Sequence, residues 1–105
     1  MKDIYVIDYV NNGVGELLFF DNKIKADAIY IDIKKRVEKN KYDFNFIDFY
    51  KIKLKDKYYN LLKNNNINIF NNLYEKYTER ENIELWDFME QMGDTMLLKS
   101  YYNEF

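Results

Sequence analysis

The segment Val10-Asn11-Asn12-Gly13-Val14 constrains this chain more than any other, because it joins two runs of β-branched and aromatic residues. Residues 3–10 (DIYVIDYV) and 14–20 (VGELLFF) have strand length and strand composition. Asn-Gly at two central positions is the preferred type I′ hairpin turn, since that turn needs a positive φ at both. Centring the turn on Asn12 and Gly13 predicts Tyr9 opposite Glu16, Ile7 opposite Leu18 and Tyr5 opposite Phe20. Ile4, Val6 and Val10 then share the other face with Leu17 and Phe19. Both faces are mostly apolar, so cover is expected on each.

Asp21 or Asn22 can cap a helix over 23–39, in which Ala26, Ile29, Tyr30, Ile33 and Val37 recur at spacings of three and four. Residues 28–33 alone also read as a strand, but the length of the pattern and the Lys-Arg-Val-Glu-Lys run favour helix. Residues 45–54 (NFIDFYKIKL) read as a third strand, with Tyr50, Ile52 and Leu54 on one face and Ile47, Phe49, Lys51 and Lys53 on the other. Beyond it the pattern turns helical. A short helix over 57–63 is capped by Asp56 and stopped by Asn64-Asn65-Asn66, and Ile69, Phe70, Leu73 and Tyr77 mark the next. Thr78 and Glu81 suggest a capping box, and Leu85, Phe88, Met89 and Met92 form a stripe closed by Gly93. Asp94 can cap a final helix carrying Leu97, Leu98, Tyr101 and Tyr102. The expected fold is α+β: a hairpin, a helix and a third antiparallel strand (β-β-α-β), then a C-terminal helical segment. At 105 residues, with no linker or repeat, the chain reads as a single domain over 1–105.

Several chemistries are set aside by residue type. The chain has no His and no Cys, which removes imidazole bases, thiolate nucleophiles, disulfides and tetrahedral zinc sites. Gly13 and Gly15 lie at a hairpin, not between a strand and a helix, so they do not form a dinucleotide-binding loop. Asp43, Asp48 and Asp56 are the candidate carboxylates for a magnesium site, but they lack the clustered spacing of one. No cofactor, no metal and no catalysis are therefore expected. The N-terminus lacks a basic segment leading into an apolar stretch, and no apolar run reaches bilayer length, so the expected compartment is the cytoplasm.

The net charge of −2 hides a strong order along the chain. Residues 1–33 carry −3, residues 34–63 carry +6 and residues 64–105 carry −5. In the basic middle, Tyr42, Phe44, Phe46, Phe49, Tyr58 and Tyr59 interleave with lysine, a mixture able to neutralise phosphates and stack on unpaired bases. Lys34, Lys35, Arg36, Phe49, Lys51, Lys53 and Lys55 are the candidate residues for contact with single-stranded RNA. The plainer alternative is a lysine-fringed strand whose stems cover apolar surface while the ammonium groups stay hydrated. In the acidic tail, Glu75, Glu79, Glu84, Asp87 and Glu90 recur about once per helical turn. Such a face can imitate a phosphate backbone, or it can be the solvated side of amphipathic helices. Glu79, Glu84, Trp86, Asp87 and Glu90 are the candidate protein-binding residues, because Trp86 sits one position off the apolar stripe and exposed Trp is enriched in binding hot spots.

Asn, Lys, Ile, Tyr and Phe dominate the chain, Pro is absent and Ala occurs only at 26 and 28. These favoured residues share AT-rich codons and point to a low-GC bacterium or one of its mobile elements. Together with the 13.0-kDa size and the strand–Asn-Asn-Gly–strand–helix–strand opening, the chain resembles the small accessory proteins of phages, of which the anti-CRISPR proteins are the best-known set. That resemblance implies stoichiometric inhibition of a host nuclease or ribonucleoprotein, and it carries over no functional residue. The alternative is an antitoxin or immunity-type protein whose acidic C-terminal helices neutralise a basic toxin.

Overall fold

A computed structural model describes residues 2–40, 44–81 and 84–103, without the side chains of 79–81. The hairpin forms as expected, from β1 (Asp3–Asn11) and β2 (Val14–Phe20). Asn12 and Gly13 have φ of 56° and 77°, as a type I′ turn requires. Tyr9, Ile7 and Tyr5 pair with Glu16, Leu18 and Phe20, so the turn sets the register of every residue behind it. α1 (Lys23–Lys39) follows, capped by the Asn22 side chain, which accepts from the Lys25 amide at 3.1 Å. β3 (Asn45–Leu54) returns antiparallel to β1 on the side away from β2.

Side-chain alternation splits the core in two. Tyr5, Ile7, Tyr9, Ile47 and Phe49 project to one face, where Ala26, Tyr30, Ile33 and Val37 of α1 cover them. Ile4, Val6, Phe19, Ile52 and Leu54 project to the other, beneath α2 (Asp56–Lys63), α3 (Ile69–Glu81) and α4 (Leu85–Met92). The expectation that both hairpin faces are covered at least in part therefore holds, and the molecule is a three-layered α+β sandwich. At one end, the buried Asn45 amide ties the parts together. Its Oδ1 accepts from the Asn12 amide at 2.9 Å in the hairpin turn, and its Nδ2 donates to the Asn40 carbonyl at the end of α1 at 3.1 Å.

Three local expectations are corrected. Lys55, not Asp56, is the N-cap of α2, and Asp56 occupies its first turn. Thr78 lies inside α3 instead of opening a helix, and its hydroxyl donates to the carbonyls of Tyr74 and Glu75. Gly93 ends α4 in extended backbone, with φ of 167°, so it is not a left-handed cap. Its need for glycine is one of space, since a Cβ there would lie 1.9 Å from the Lys53 carbonyl oxygen.

The largest correction is at the C-terminus. Residues 93–103 form a strand, β4 (Gly93–Asn103), not a helix, and it pairs antiparallel with β3 to give the sheet order β2-β1-β3-β4. Leu97-Leu98 and Tyr101-Tyr102 repeat at a spacing of four, which suits a helix, but the register skips between Phe49 and Tyr50. A bulge at Leu98 therefore shifts the period-two alternation and hides it from the pattern. Without β4, β3 would present a free edge of unpaired backbone groups that the strand pairing satisfies, whereas an isolated helix of this length is marginal in water. Among the described residues, no helix is long and apolar enough to cross a membrane.

Candidate binding face

On the α2–α4 side of the sheet, cross-strand pairing arranges the side chains in rows. One row runs Phe19, Val6, Tyr50 and Leu97. The next runs Leu17, Asp8, Asp48 and Ser100, and the one after it Gly15, Val10, Phe46 and Tyr102. Helices cover the end of this face that holds Ile4, Ile52 and Leu54. Beyond the acidic row the surface is open: Phe44 is 53% exposed and Tyr102 52%, with Leu97 at 48% and Trp86 at 42% near the boundary. The Phe46 and Tyr102 rings stack at 5.9 Å, Phe44 leans on both, and Trp86 of α4 lies 6.0 Å from Tyr50.

Two aspartates sit directly opposite one another in this apolar setting. Asp48 is buried and gathers hydroxyls: Ser100 Oγ donates to Oδ1 at 2.5 Å, and Tyr50 and Tyr102 each donate to Oδ2 at 3.5 Å. Asp8 has no hydrogen-bond donor among the described residues. Burial first, and then the facing Asp48 charge, push its pKa up to about 6. The same two effects raise Tyr50, where burial leads and Asp48 and Asp8 follow, and burial with the Asp8 charge raises Tyr74. A cleft of about 240 Å³ opens on Asp8 between Gly15, Glu16, Leu17, Tyr74 and Leu85.

Asp8 carries a testable sign. A carboxyl whose folded pKa lies above its unfolded value of about 3.9 favours folding only while protonated. Its stabilising contribution is complete below about pH 4 and lost as pH rises through about 6. Asp8→Asn should therefore raise the thermal midpoint at pH 7, by the equivalent of about 1–2 kcal/mol once solvent screening of this part-exposed carboxyl is allowed for, and change it little at pH 4. Equal effects at both pH values, measured by circular dichroism melts, would contradict this account.

The sequence-level basic cluster is not one surface. Phe49 is fully buried between Tyr5 at 6.1 Å and Tyr30 at 5.4 Å, so its ring is unavailable to a base. Lys34 pairs with Glu38 at 3.6 Å and lies over Tyr101, and Arg36 pairs with Asp32 at 3.2 Å. Lys51 stands between Tyr5 and Met96, and Lys53 between Asp3 and Asp94, on the strand pairs near the other end of β3. Lys55 borders a separate recess with Asp87, Glu90 and Gln91. The cations that do converge are Lys34, Lys35 and Lys99, around a cleft of about 630 Å³ that also includes Tyr30, Ile31 and Glu38. Lys99 was hidden from sequence reasoning because its segment reads as helix.

Of the acidic candidates, Glu84, Asp87 and Glu90 are exposed on or beside α4, as Trp86 is, while the side chain of Glu79 lies outside the described residues. Tyr42 and Asp43 also fall outside them. The Asp8–Asp48 pair was missed, although each residue interrupts an otherwise apolar strand face, which is a readable signal. Compared with known proteins, the chain matches no family model, no curated protein and no solved structure.

Proposed function

We propose that this chain is a non-catalytic inhibitor of the anti-CRISPR kind, which binds a host defence protein or ribonucleoprotein and occupies a surface that protein needs. The observation that carries the reading is the half-uncovered sheet face with Phe44, Leu97, Tyr102 and Trp86 exposed around a pair of carboxylates. Clustered exposed aromatics on a rigid sheet are costly to leave in water and mark interaction sites. Aromatic anchors around a desolvated centre carry most of the energy of protein interfaces. Contact with RNA, if the partner is a ribonucleoprotein, falls to Lys34, Lys35 and Lys99 in place of the dispersed original set.

The test is a CRISPR-interference assay in a host carrying an active system, with the chain expressed in trans. Wild-type protein should restore phage plating, and Trp86→Ala with Tyr102→Ala should abolish that effect while leaving the circular dichroism spectrum unchanged. In a purified assay, inhibition should saturate near one chain per target complex, and continued inactivation at a small fraction of that ratio would indicate turnover and sink the reading. The antitoxin alternative shares the acidic face, and rescue of cells from a co-expressed basic toxin without any effect on interference would favour it instead.

A further inference from the structure

We propose that the groove between α1 and the outer edge of β4 takes an extended acidic segment of the partner protein, which adds to the sheet as a further strand; this rests on the reading of the chain as a protein-binding inhibitor. Among the described residues β4 pairs only with β3, so its outer edge presents unpaired backbone N–H and C=O groups. Such an edge is a template for one more strand, whose main-chain hydrogen bonds supply affinity while its alternate side chains supply specificity. Past the bulge, Lys99 to Asn103 run in regular register with β3 and offer an uninterrupted template. Alongside that stretch, α1 and β4 flank the cleft of about 630 Å³. An added strand therefore meets backbone on one side and a walled groove beneath its inward side chains.

Charge selects the segment. Lys34 and Lys35 of α1 and Lys99 of β4 meet at this cleft against one acid, Glu38, which Lys34 already engages at 3.6 Å. Lys35 and Lys99 make no ion pair among the described residues. Lys99 and Tyr101 pair with Phe49 and Ile47, so both point to the α1 side of the sheet. Side chains of a strand alternate, so the added residues opposite Lys99 and Tyr101 face the lysines together. Acids at those two positions, in an acid–x–acid pattern, meet Lys99 at the first and Lys34, which lies over Tyr101 at 5.4 Å, at the second. A second copy of this chain is the poorer occupant, because β4 against β4 brings two sets of lysines to one face. Single-stranded RNA is poorer too. Tyr30 is buried with Lys99 over it at 5.3 Å and Tyr101 carries Lys34, so the rings at this cleft are already occupied and bases lose their stacking platform. The cations that would meet a ribonucleoprotein's RNA are in this way assigned to its polypeptide.

The experiment titrates three capped peptides into the protein at pH 7.5 and low salt: Val-Glu-Val-Glu-Val, Val-Gln-Val-Gln-Val, and the glutamate peptide with every backbone amide methylated. Amide chemical shifts and hydrogen exchange follow the binding. The glutamate peptide should shift the amides of residues 99–103 and of α1 around Lys34, and should slow exchange along β4, which contact through side chains alone does not do. The neutral glutamine peptide, of nearly the same shape, should bind about tenfold or more weakly, because the charge-assisted bonds are gone. Methylation should abolish binding with the charge intact. Lys35→Glu and Lys99→Glu, both at exposed positions, should each weaken the glutamate peptide at least tenfold without changing the circular dichroism spectrum. Equal binding of the glutamate and glutamine peptides would overturn the acidic assignment, and equal binding of the methylated peptide would overturn strand addition. Oligouridylate that binds this groove where the glutamate peptide does not would make it a phosphate site and overturn the peptide. A dimer of the protein alone that protects the β4 amides would assign the edge to a second copy and overturn the partner. The two readings fail separately. If the chain blocks interference yet binds no glutamate peptide, the groove falls and the inhibitor stands. If the peptide binds as described and interference is untouched, the inhibitor falls and the groove remains a peptide site.

Discussion

Replacing Phe49 by Ala should destabilise the fold by about 3–5 kcal/mol, enough to unfold much of the protein at moderate temperature. The ring is fully buried at the centre of β3, in edge contact with Tyr30 of α1 and tilted against Tyr5 of β1. Truncation removes its apolar area from the core and leaves a cavity that α1 can close only by shifting along the sheet. Chemical denaturation monitored by circular dichroism measures the loss, and Phe49→Leu should recover a large part of it. The outcome also separates two roles for this ring. A base-stacking residue would lower RNA affinity without changing stability, whereas a core residue changes stability first. A Phe49→Ala protein with wild-type stability would show that the ring is not part of the core.

Gly93→Ala should be nearly as damaging, at about 2–4 kcal/mol, although it adds a single methyl group. The added Cβ meets the Lys53 carbonyl oxygen at 1.9 Å and its carbon at 2.7 Å, and both belong to backbone that cannot rotate away. Relief requires β3 and β4 to separate where α4 ends, beside the hydrogen bond from the Lys55 amide to the Met92 carbonyl. Because φ at Gly93 is already extended, the effect comes from contact and not from backbone strain. Gly13→Ala makes a useful control: its φ of 77° is strained for alanine, but nothing lies within 4 Å of the added atom. A Gly93→Ala midpoint equal to wild type would mean that β4 does not approach β3 as described.

Much of the architecture was legible in the chain because it is written in local chemistry. Asn12-Gly13 can adopt the positive φ values of the turn, and the turn then aligns Tyr5 with Phe20 without help from the rest of the molecule. The spacing of Ala26, Tyr30, Ile33 and Val37, with Asn22 before them, likewise determines α1, and alternation along 45–54 assigns each face of β3. The absence of His and Cys is likewise read directly from the chain. What only the tertiary structure decided depends on partners distant in sequence. Residues 93–103 satisfy a helical spacing, and they become a strand because β3 offers an open edge and a bulge at Leu98 absorbs the mismatch. Phe49 alternates with lysines, which made it look like a stacking ring, yet α1 lies over its end of the face and leaves only the lysines nearer the strand terminus in water. Asp8 and Asp48 are 40 positions apart and meet only because β3 pairs with β1 in one register. Sequence determines which side of a strand a residue takes; the facing strand determines what it meets there, and the charge of this candidate site exists only in that meeting.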